Sequence, residues 1–74
     1  MKLTVKLFAY FRDNRFITEV REYPKETTVL DIINDLEINP EEIGVTMINS
    51  RHCGFDDNVS ENDNLAIFPV VGGG

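Results

Sequence analysis

In residues 27–40, TTVLDIINDLEINP, the apolar side chains recur with the period of a helix. Several segments before and after them instead alternate apolar and polar side chains at every second residue, as strands do. Within residues 27–40 the apolar residues recur at intervals of three and four, which places four side chains in one stripe along a helix. The stripe consists of Val29, Ile32, Ile33 and Leu36. Thr28 can cap the helix and Pro40 cannot continue its interior, so one amphipathic helix is predicted between these two residues.

The segments before the helix have a period of two, which is typical of strands with one buried face. Residues 2–9, KLTVKLFA, predict a first strand, and residues 16–23, FITEVREY, predict a second strand that forms a hairpin with it. Residues 10–15 break the alternation and are predicted to form a loop. The inward side chains of the first strand are expected to be Leu3, Val5, Leu7 and Ala9.

Three further strands are predicted after the helix. They cover residues 45–49, residues 51–53 after a tight turn at Asn49-Ser50, and residues 65–70, LAIFPV. This order predicts an α+β domain, a mixed sheet of about five strands with one main helix packed on one face. In such a β-grasp sheet the first and last strands are neighbours in the middle.

Phe8 and Phe68 are out of phase with the inward residues of their own strands. Both are therefore expected on the sheet face that the helix leaves uncovered, where an exposed apolar pair is a candidate partner-binding patch. Two alternatives remain, because the rings could simply shield each other, or the phase could slip by one residue and bury both. Arg12 in the adjoining loop is expected to be a solvated charge.

Size and charge limit the classes of function. The 74 residues predict one domain, 1–74, with a flexible glycine tail at residues 72–74. The 13 acidic residues outnumber the 7 basic ones, and the net charge of −6 argues against nucleic-acid binding and against anionic membranes. It fits a protein partner with a basic face. The lone Cys53 and the absence of a signal-peptide pattern indicate the cytoplasm.

The sequence has no pattern typical of catalysis or of cofactor binding. No glycine-rich loop precedes a helix, so no phosphate site is predicted. His52 and Cys53 are adjacent, and adjacent strand residues point to opposite faces, which makes them a poor nucleophile–base pair. Residues 56–67 lack the glycine and the glutamate that a calcium loop needs. We expect a non-catalytic chain that binds no metal and no cofactor.

The chain ends in FPVVGGG, residues 68–74. Glycine loses more backbone entropy on ordering than any other residue, so this end is either idle or itself the working part. A terminal carboxylate that receives AMP from a partner enzyme becomes open to attack by a sulfur or amine nucleophile. Glycine has no Cβ to obstruct that attack, and a tail without side chains can enter a narrow channel.

Four segments that together span most of the chain resemble the MoaD/ThiS sulfur carriers, the bacterial and archaeal relatives of ubiquitin. They are VKLFAYFRD at 5–13, TTVLDIINDLEI at 27–38, INSRH at 48–52 and ENDNLAIFPVVGGG at 61–74. The phenylalanine-proline pair before the glycines favours the molybdopterin branch over the thiamin branch. The resemblance implies a ubiquitin-like β-grasp fold and the role of the small subunit of molybdopterin synthase.

By this resemblance, Gly74 carries the carboxylate that becomes an acyl-adenylate and then a thiocarboxylate, and Gly73 completes the Gly-Gly end. ATP would be used by a separate adenylating enzyme of the MoeB/ThiF kind, and a MoaE-like large subunit of molybdopterin synthase would receive the tail. The implied partner-binding residues are Phe8, Phe68, Pro69, Val70, Val71 and Gly72. The family often has Pro-Pro where this chain has Pro69-Val70, which leaves the partner open.

Other functions remain open from the sequence. The same tail chemistry could serve thiamin or another sulfur pathway, or it could join the chain to protein lysines as a ubiquitin-like modifier. A different class is a non-covalent β-grasp binding module in which the terminal glycines are idle.

Overall fold

A computed structural model describes residues 1–71, and the predicted glycine tail at residues 72–74 lies outside the described residues. Residues 1–71 form five strands, one α-helix and two short 3₁₀ helices. In chain order these are β1 (Lys2–Leu7), a 3₁₀ helix (Ala9–Arg12), β2 (Thr18–Glu22), α1 (Val29–Asp35), a 3₁₀ helix (Pro40–Glu42), β3 (Ile43–Ile48), β4 (Arg51–His52) and β5 (Asn64–Pro69).

The five strands form one mixed sheet in the order β2-β1-β5-β3-β4. The central pair, β1 and β5, is parallel, with Val5 opposite Leu65, and the other neighbouring pairs are antiparallel. The predicted α+β class, the five-stranded mixed sheet and the central position of the first and last strands are confirmed. This is a ubiquitin-like β-grasp fold.

Helix α1 packs its apolar stripe against one face of the sheet. Val29, Ile32 and Ile33 are fully buried there, in the same cluster as the inward side chains of β1 and β5. The start of the helix is fixed by a reciprocal cap: the Asp31 amide donates to Thr28 Oγ1 at 3.1 Å, and the Thr28 amide donates to the Asp31 carboxylate at 2.9 Å. Both the stripe and the cap follow from the sequence pattern.

The helix ends earlier than the sequence predicts. Its C-cap is Leu36, and Glu37 has a left-handed backbone with φ of 58°. Arg15 holds this end from the neighbouring loop, because its guanidinium donates to the carbonyl oxygens of Leu36, Glu37 and Phe11 at 3.0 to 3.2 Å. A cation near the last carbonyls of a helix is favourable. Pro40 instead begins the second 3₁₀ helix. Across residues 1–71, no helix is long and apolar enough to cross a membrane.

The first strand is shorter than predicted, and the expectation that Ala9 faces the core is wrong. Strand β1 ends at Leu7, and Ala9 is exposed with a left-handed φ of 54°. The chain turns there into a 3₁₀ helix, which places Phe11 in the core at 2% exposure. A segment predicted as loop therefore supplies one of the largest buried side chains.

Left-handed backbone occurs at several turns that have no glycine. The predicted tight turn between β3 and β4 has two such residues, Asn49 and Ser50. A two-residue turn with positive φ at both positions matches the twist of the two strands that it connects. The other non-glycine residues with positive φ are Ala9, Asn14, Glu26, Glu37 and Asn62.

We predict that Phe11→Ala lowers the free energy of unfolding by about 3–5 kcal/mol, because it removes a buried ring and leaves a cavity. Tyr10→Ala is the matched control, since Tyr10 is the next residue in the chain and is 48% exposed. Its cost should stay below about 1 kcal/mol. Urea denaturation of both variants measures the difference, and equal costs would contradict the placement of Phe11 in the core.

Candidate functional site

The face of the sheet opposite α1 carries the second set of alternating side chains. Register pairs Lys6 with Thr18 and Ala66, and Met47 with Ala66 and His52, so these residues share that face. None of these side chains belongs to the buried core. The helix therefore covers one side of the sheet and leaves this one open to a partner.

Phe8 and Phe68 lie together on the uncovered face. Their ring centroids are 4.0 Å apart and the ring planes differ by 15°, which is a stacked arrangement. Both residues are half-buried, so the alternative in which a slipped phase takes them into the core is wrong. The rings do shield each other, as the other alternative holds. Their role in partner binding stays a prediction.

Two cations flank the Phe8 ring. Lys6 Nζ and Arg12 Cζ each lie 5.4 Å from the ring centroid, within the range of cation–π attraction. Arg12 also donates from Nε to the Leu7 carbonyl oxygen at 2.7 Å. Arg12 is therefore fixed against the end of β1, and the expectation that it is a solvated loop charge is wrong.

The last strand leaves the sheet beside this aromatic pair. Pro69 pairs with Ile43, and the Val70 amide donates to the Glu42 carbonyl oxygen at 2.8 Å. Val70 and Val71 then project into solvent, at 54% and 88% exposure. The structure thus places four of the predicted partner-binding residues in one continuous strip, namely Phe68, Pro69, Val70 and Val71, with Phe8 stacked against it. Within this strip Pro69 is buried, so Phe68, Val70 and Val71 supply its accessible surface.

A shallow apolar depression continues this strip across the sheet. Besides residues of the strip, it is lined by Gly44, Val45, Met47 and His52. These four residues were not predicted from the sequence to belong to the site. The alternation in residues 45–49 could have indicated Val45 and Met47, whereas no local pattern marks Gly44 or His52 because their position depends on pairing between distant strands.

The charges around the strip are of opposite sign on its two sides. Lys6 and Arg12 lie beside Phe8, whereas Glu41 and Glu42 belong to the 3₁₀ helix that receives the Val70 hydrogen bond. Partial desolvation, together with the nearby Glu42 carboxylate, raises the pKa of the exposed Tyr10 hydroxyl. A partner that binds here meets a basic side and an acidic side, which orients it.

His52 and Cys53 do not form a reactive pair. His52 lines the apolar depression, whereas Cys53 packs against the core cluster. Burial raises the pKa of the Cys53 thiol, so the thiol stays protonated and a poor nucleophile near neutral pH. Within residues 1–71, no group of three or more His, Cys, Asp and Glu side chains is placed to hold a metal ion.

The predicted chemical end of the protein is at Gly72, Gly73 and Gly74, which lie outside the described residues. What the described residues provide is a strand that ends at Pro69 and one further backbone hydrogen bond, at Val70. The described part of the candidate site is therefore a strip of side chains that immediately precedes the glycines in the chain.

This arrangement defines a class of protein, a ubiquitin-like β-grasp domain whose central strand leads directly into a C-terminal glycine segment. The model of the ThiS family matches residues 5–74, and the chain belongs to this family. Its members are small carrier proteins that are generally not catalytic. The search of curated proteins gave no match.

Several solved structures have the same fold. One is a Pyrococcus furiosus protein provisionally assigned as molybdopterin converting factor subunit 1, with TM-score 0.79, 24% identity and coverage of 96% of this chain and 99% of that one. SAMP1 of Haloferax volcanii has TM-score 0.75, 22% identity and full coverage of both chains. The HVO 2177 protein of Haloferax volcanii has TM-score 0.81, 22% identity and coverage of 100% and 87%. At these identities the likeness establishes the fold.

We predict that a double-mutant cycle of Phe8→Ala and Phe68→Ala gives a coupling free energy of about 0.5–1.5 kcal/mol, because the stacked rings stabilise each other. The thermal unfolding of the two single variants and of the double variant measures it. A matched comparison is Ile67→Ala, which should cost more than Phe68→Ala because Ile67 is fully buried. The reverse order would contradict the assignment of the two faces.

Proposed function

We propose that this protein is a sulfur carrier whose C-terminal carboxylate, at Gly74, is converted to a thiocarboxylate that supplies sulfur for molybdopterin synthesis. The observation that carries the proposal is the ThiS-family match, which continues through the final glycines to residue 74. The geometry of β5 supports it, since this strand ends within two residues of the glycines, with Val70 and Val71 exposed between.

The proposed chemistry has two steps, and a partner catalyses both. A carboxylate oxygen of Gly74 attacks the α-phosphorus of ATP on an adenylating enzyme of the MoeB/ThiF kind, which releases pyrophosphate and leaves an acyl-adenylate. A sulfur nucleophile then attacks the carbonyl carbon and displaces AMP. The chain itself binds no cofactor in this scheme, and ATP belongs to the partner.

The folded domain holds the carboxylate at a limited distance from the contact surface. The last described backbone hydrogen bond is at Val70, and the four residues after it can span at most about 14 Å. A partner that contacts Phe68 and Val70 of the strip must therefore have its reactive site within that distance of Val70. A tail of glycines can approach such a site through a narrow channel.

We assign two successive partners to the same strip. The adenylating enzyme binds it during activation, and a MoaE-like large subunit of molybdopterin synthase binds it during sulfur transfer. The stacked Phe8–Phe68 pair supplies apolar contact area, and the chain's net charge of −6 favours partners with basic faces. ATP-dependent activation and the presence of a single cysteine, Cys53, which has no second cysteine in this sequence for a disulfide, fit a cytoplasmic protein.

A second candidate function is that of a ubiquitin-like modifier. The SAMP1 fold matches this chain over its full length, and a further solved structure with this fold is small archaeal modifier protein 1 of Haloferax volcanii. In that function a lysine amine, and not a sulfur nucleophile, displaces AMP and forms an isopeptide bond. Thiamin or another sulfur pathway would use the same activation. Isopeptide-linked adducts in cell lysate would favour the modifier.

We predict that the intact protein from its own cells, or after incubation with its adenylating enzyme, ATP and a sulfur donor, gains the mass of one oxygen-for-sulfur exchange. The gain should map to Gly74 and be lost on alkaline hydrolysis. Adding one alanine after Gly74 should abolish it, because the new carboxylate no longer lies on glycine. Cys53→Ser is the matched control and should load normally. Loading of the extended variant, or loss in Cys53→Ser, would contradict the proposal.

We also predict that Phe68→Ala weakens binding to the adenylating enzyme roughly fivefold or more, because truncation of a central aromatic residue at an interface costs over about 1 kcal/mol. Val20→Ala is the control, since Val20 lies on the same face of the sheet, on the edge strand β2, and is 64% exposed. Its effect should be less than about twofold. Calorimetric titration measures both affinities, and equal losses would exclude the strip as the binding site.

A further inference from the structure

Strand β3 carries one extra residue where it runs beside the end of β5. Ile43 pairs with Pro69 and Val45 pairs with Phe68, so two steps along β3 match a single step along β5. The residue between them, Gly44, is the extra residue of a β-bulge. Bulges bend a strand locally and often re-aim it near functional sites.

The backbone of β5 lies almost against Gly44. A Cβ on this residue would come within 2.9 Å of the Pro69 carbonyl oxygen and 3.0 Å of the Val70 Cα. Both atoms belong to backbone, so no side chain can move aside to make room. An ordinary contact begins at 3.4 Å, and the end of β5 would therefore have to shift by about half an ångström or more.

Pro69, the last residue of β5, and Val70 after it carry the last described constraint on the chain. The Val70 amide donates to the Glu42 carbonyl oxygen at 2.8 Å, from the 3₁₀ helix that immediately precedes β3. Beyond this bond Val71 is 88% exposed. The contact at Gly44 and the bond at Glu42 thus fix the point and direction from which the remaining residues leave the domain.

We infer that Gly44 is a positioning residue that sets where the tail leaves the sheet, and so how the terminal carboxylate meets the partner's reactive site. This inference rests on the proposed function. It separates two properties of the protein, because the Phe8–Phe68 pair determines binding to the partner whereas Gly44 determines the placement of the end that reacts. Gly44 touches no reacting atom and acts only through Pro69 and Val70.

The test compares Gly44→Ala with Gly54→Ala. Gly54 is a matched control because a Cβ there would meet only the Asp57 carboxylate, at an ordinary 3.9 Å. With the organism's own ThiF-like adenylating enzyme and ATP, pyrophosphate release gives kcat and KM for each carrier. We expect Gly44→Ala to lower kcat roughly 10- to 100-fold, as a misplacement of about an ångström can, with KM within threefold of wild type. Gly54→Ala should behave as wild type.

A purely structural role would move the melting temperature or KM and leave kcat unchanged. Wild-type kcat in Gly44→Ala, or an equal loss in Gly54→Ala, overturns the inference. If Gly44→Ala does not fold, Val70→Pro replaces it, since proline has no amide to donate to the Glu42 carbonyl oxygen and so releases the end of β5 without changing β3. Wild-type kcat in Val70→Pro also overturns the inference, because the rate would then not depend on how this end is held, and a fall in kcat supports it.

A second readout needs no partner. Hydrogen exchange of the Val70 amide, measured by NMR, reports its bond to Glu42 directly. We expect protection in the wild type and in Gly54→Ala, and its loss in Gly44→Ala while the amides of β1 stay protected. Retained protection in Gly44→Ala overturns the inference. If the wild type is never adenylated, the sulfur-carrier proposal fails, and this exchange measurement still decides whether Gly44 fixes the end of β5.

Discussion

The parallel pairing of β1 with β5 is the contact on which the rest of the structure depends. It joins residues that are far apart in the chain, with Val5 opposite Leu65, and it forms the middle of the sheet. Helix α1 packs over this pair, and the remaining strands add to its two outer sides. Because β5 is central, β1 pairs with it on one side as far as Ile67, and β3 pairs with it on the other side as far as Pro69.

Side chains along the central strands point alternately to the two faces of the sheet, and the two faces therefore differ in burial. Inward residues such as Leu7 and Ile67 are fully buried and stabilise the fold, whereas Phe8 and Phe68 stack on the opposite face. A change at an inward position therefore acts on folding, whereas the outward positions are the ones that we propose act in recognition. The acidic side of the strip at Glu42 and the basic side at Arg12 give the recognition face a direction.

Much of the fold could be predicted because its signals are local. The stripe and cap of α1, the turn at Asn49 and the phase of Phe8 each depend on residues within a few positions. The features that the sequence did not predict correctly depend on contacts that no local pattern reveals. Ala9 turns away because Phe11 can reach the core from a 3₁₀ helix, which alternation does not reveal. Helix α1 ends where Arg15 donates hydrogen bonds to the carbonyl oxygens of Leu36 and Glu37, from a loop that is close in space but distant in the sequence. The sequence pattern alone predicted a helix up to Pro40. Gly44 belongs to the site only because β3 and β5 meet there.

The turn residues with left-handed backbone are positions at which substitution can raise the thermal stability of the protein. Glu26, Glu37 and Asn62 adopt positive φ without being glycine, and for an ordinary side chain such as glutamate this conformation costs roughly 1–2 kcal/mol. All three residues lie outside the strip and outside the core. An ancestor or an engineered descendant could therefore adapt to a hotter environment by changes at these turns, with no change in the surface that its partners recognise.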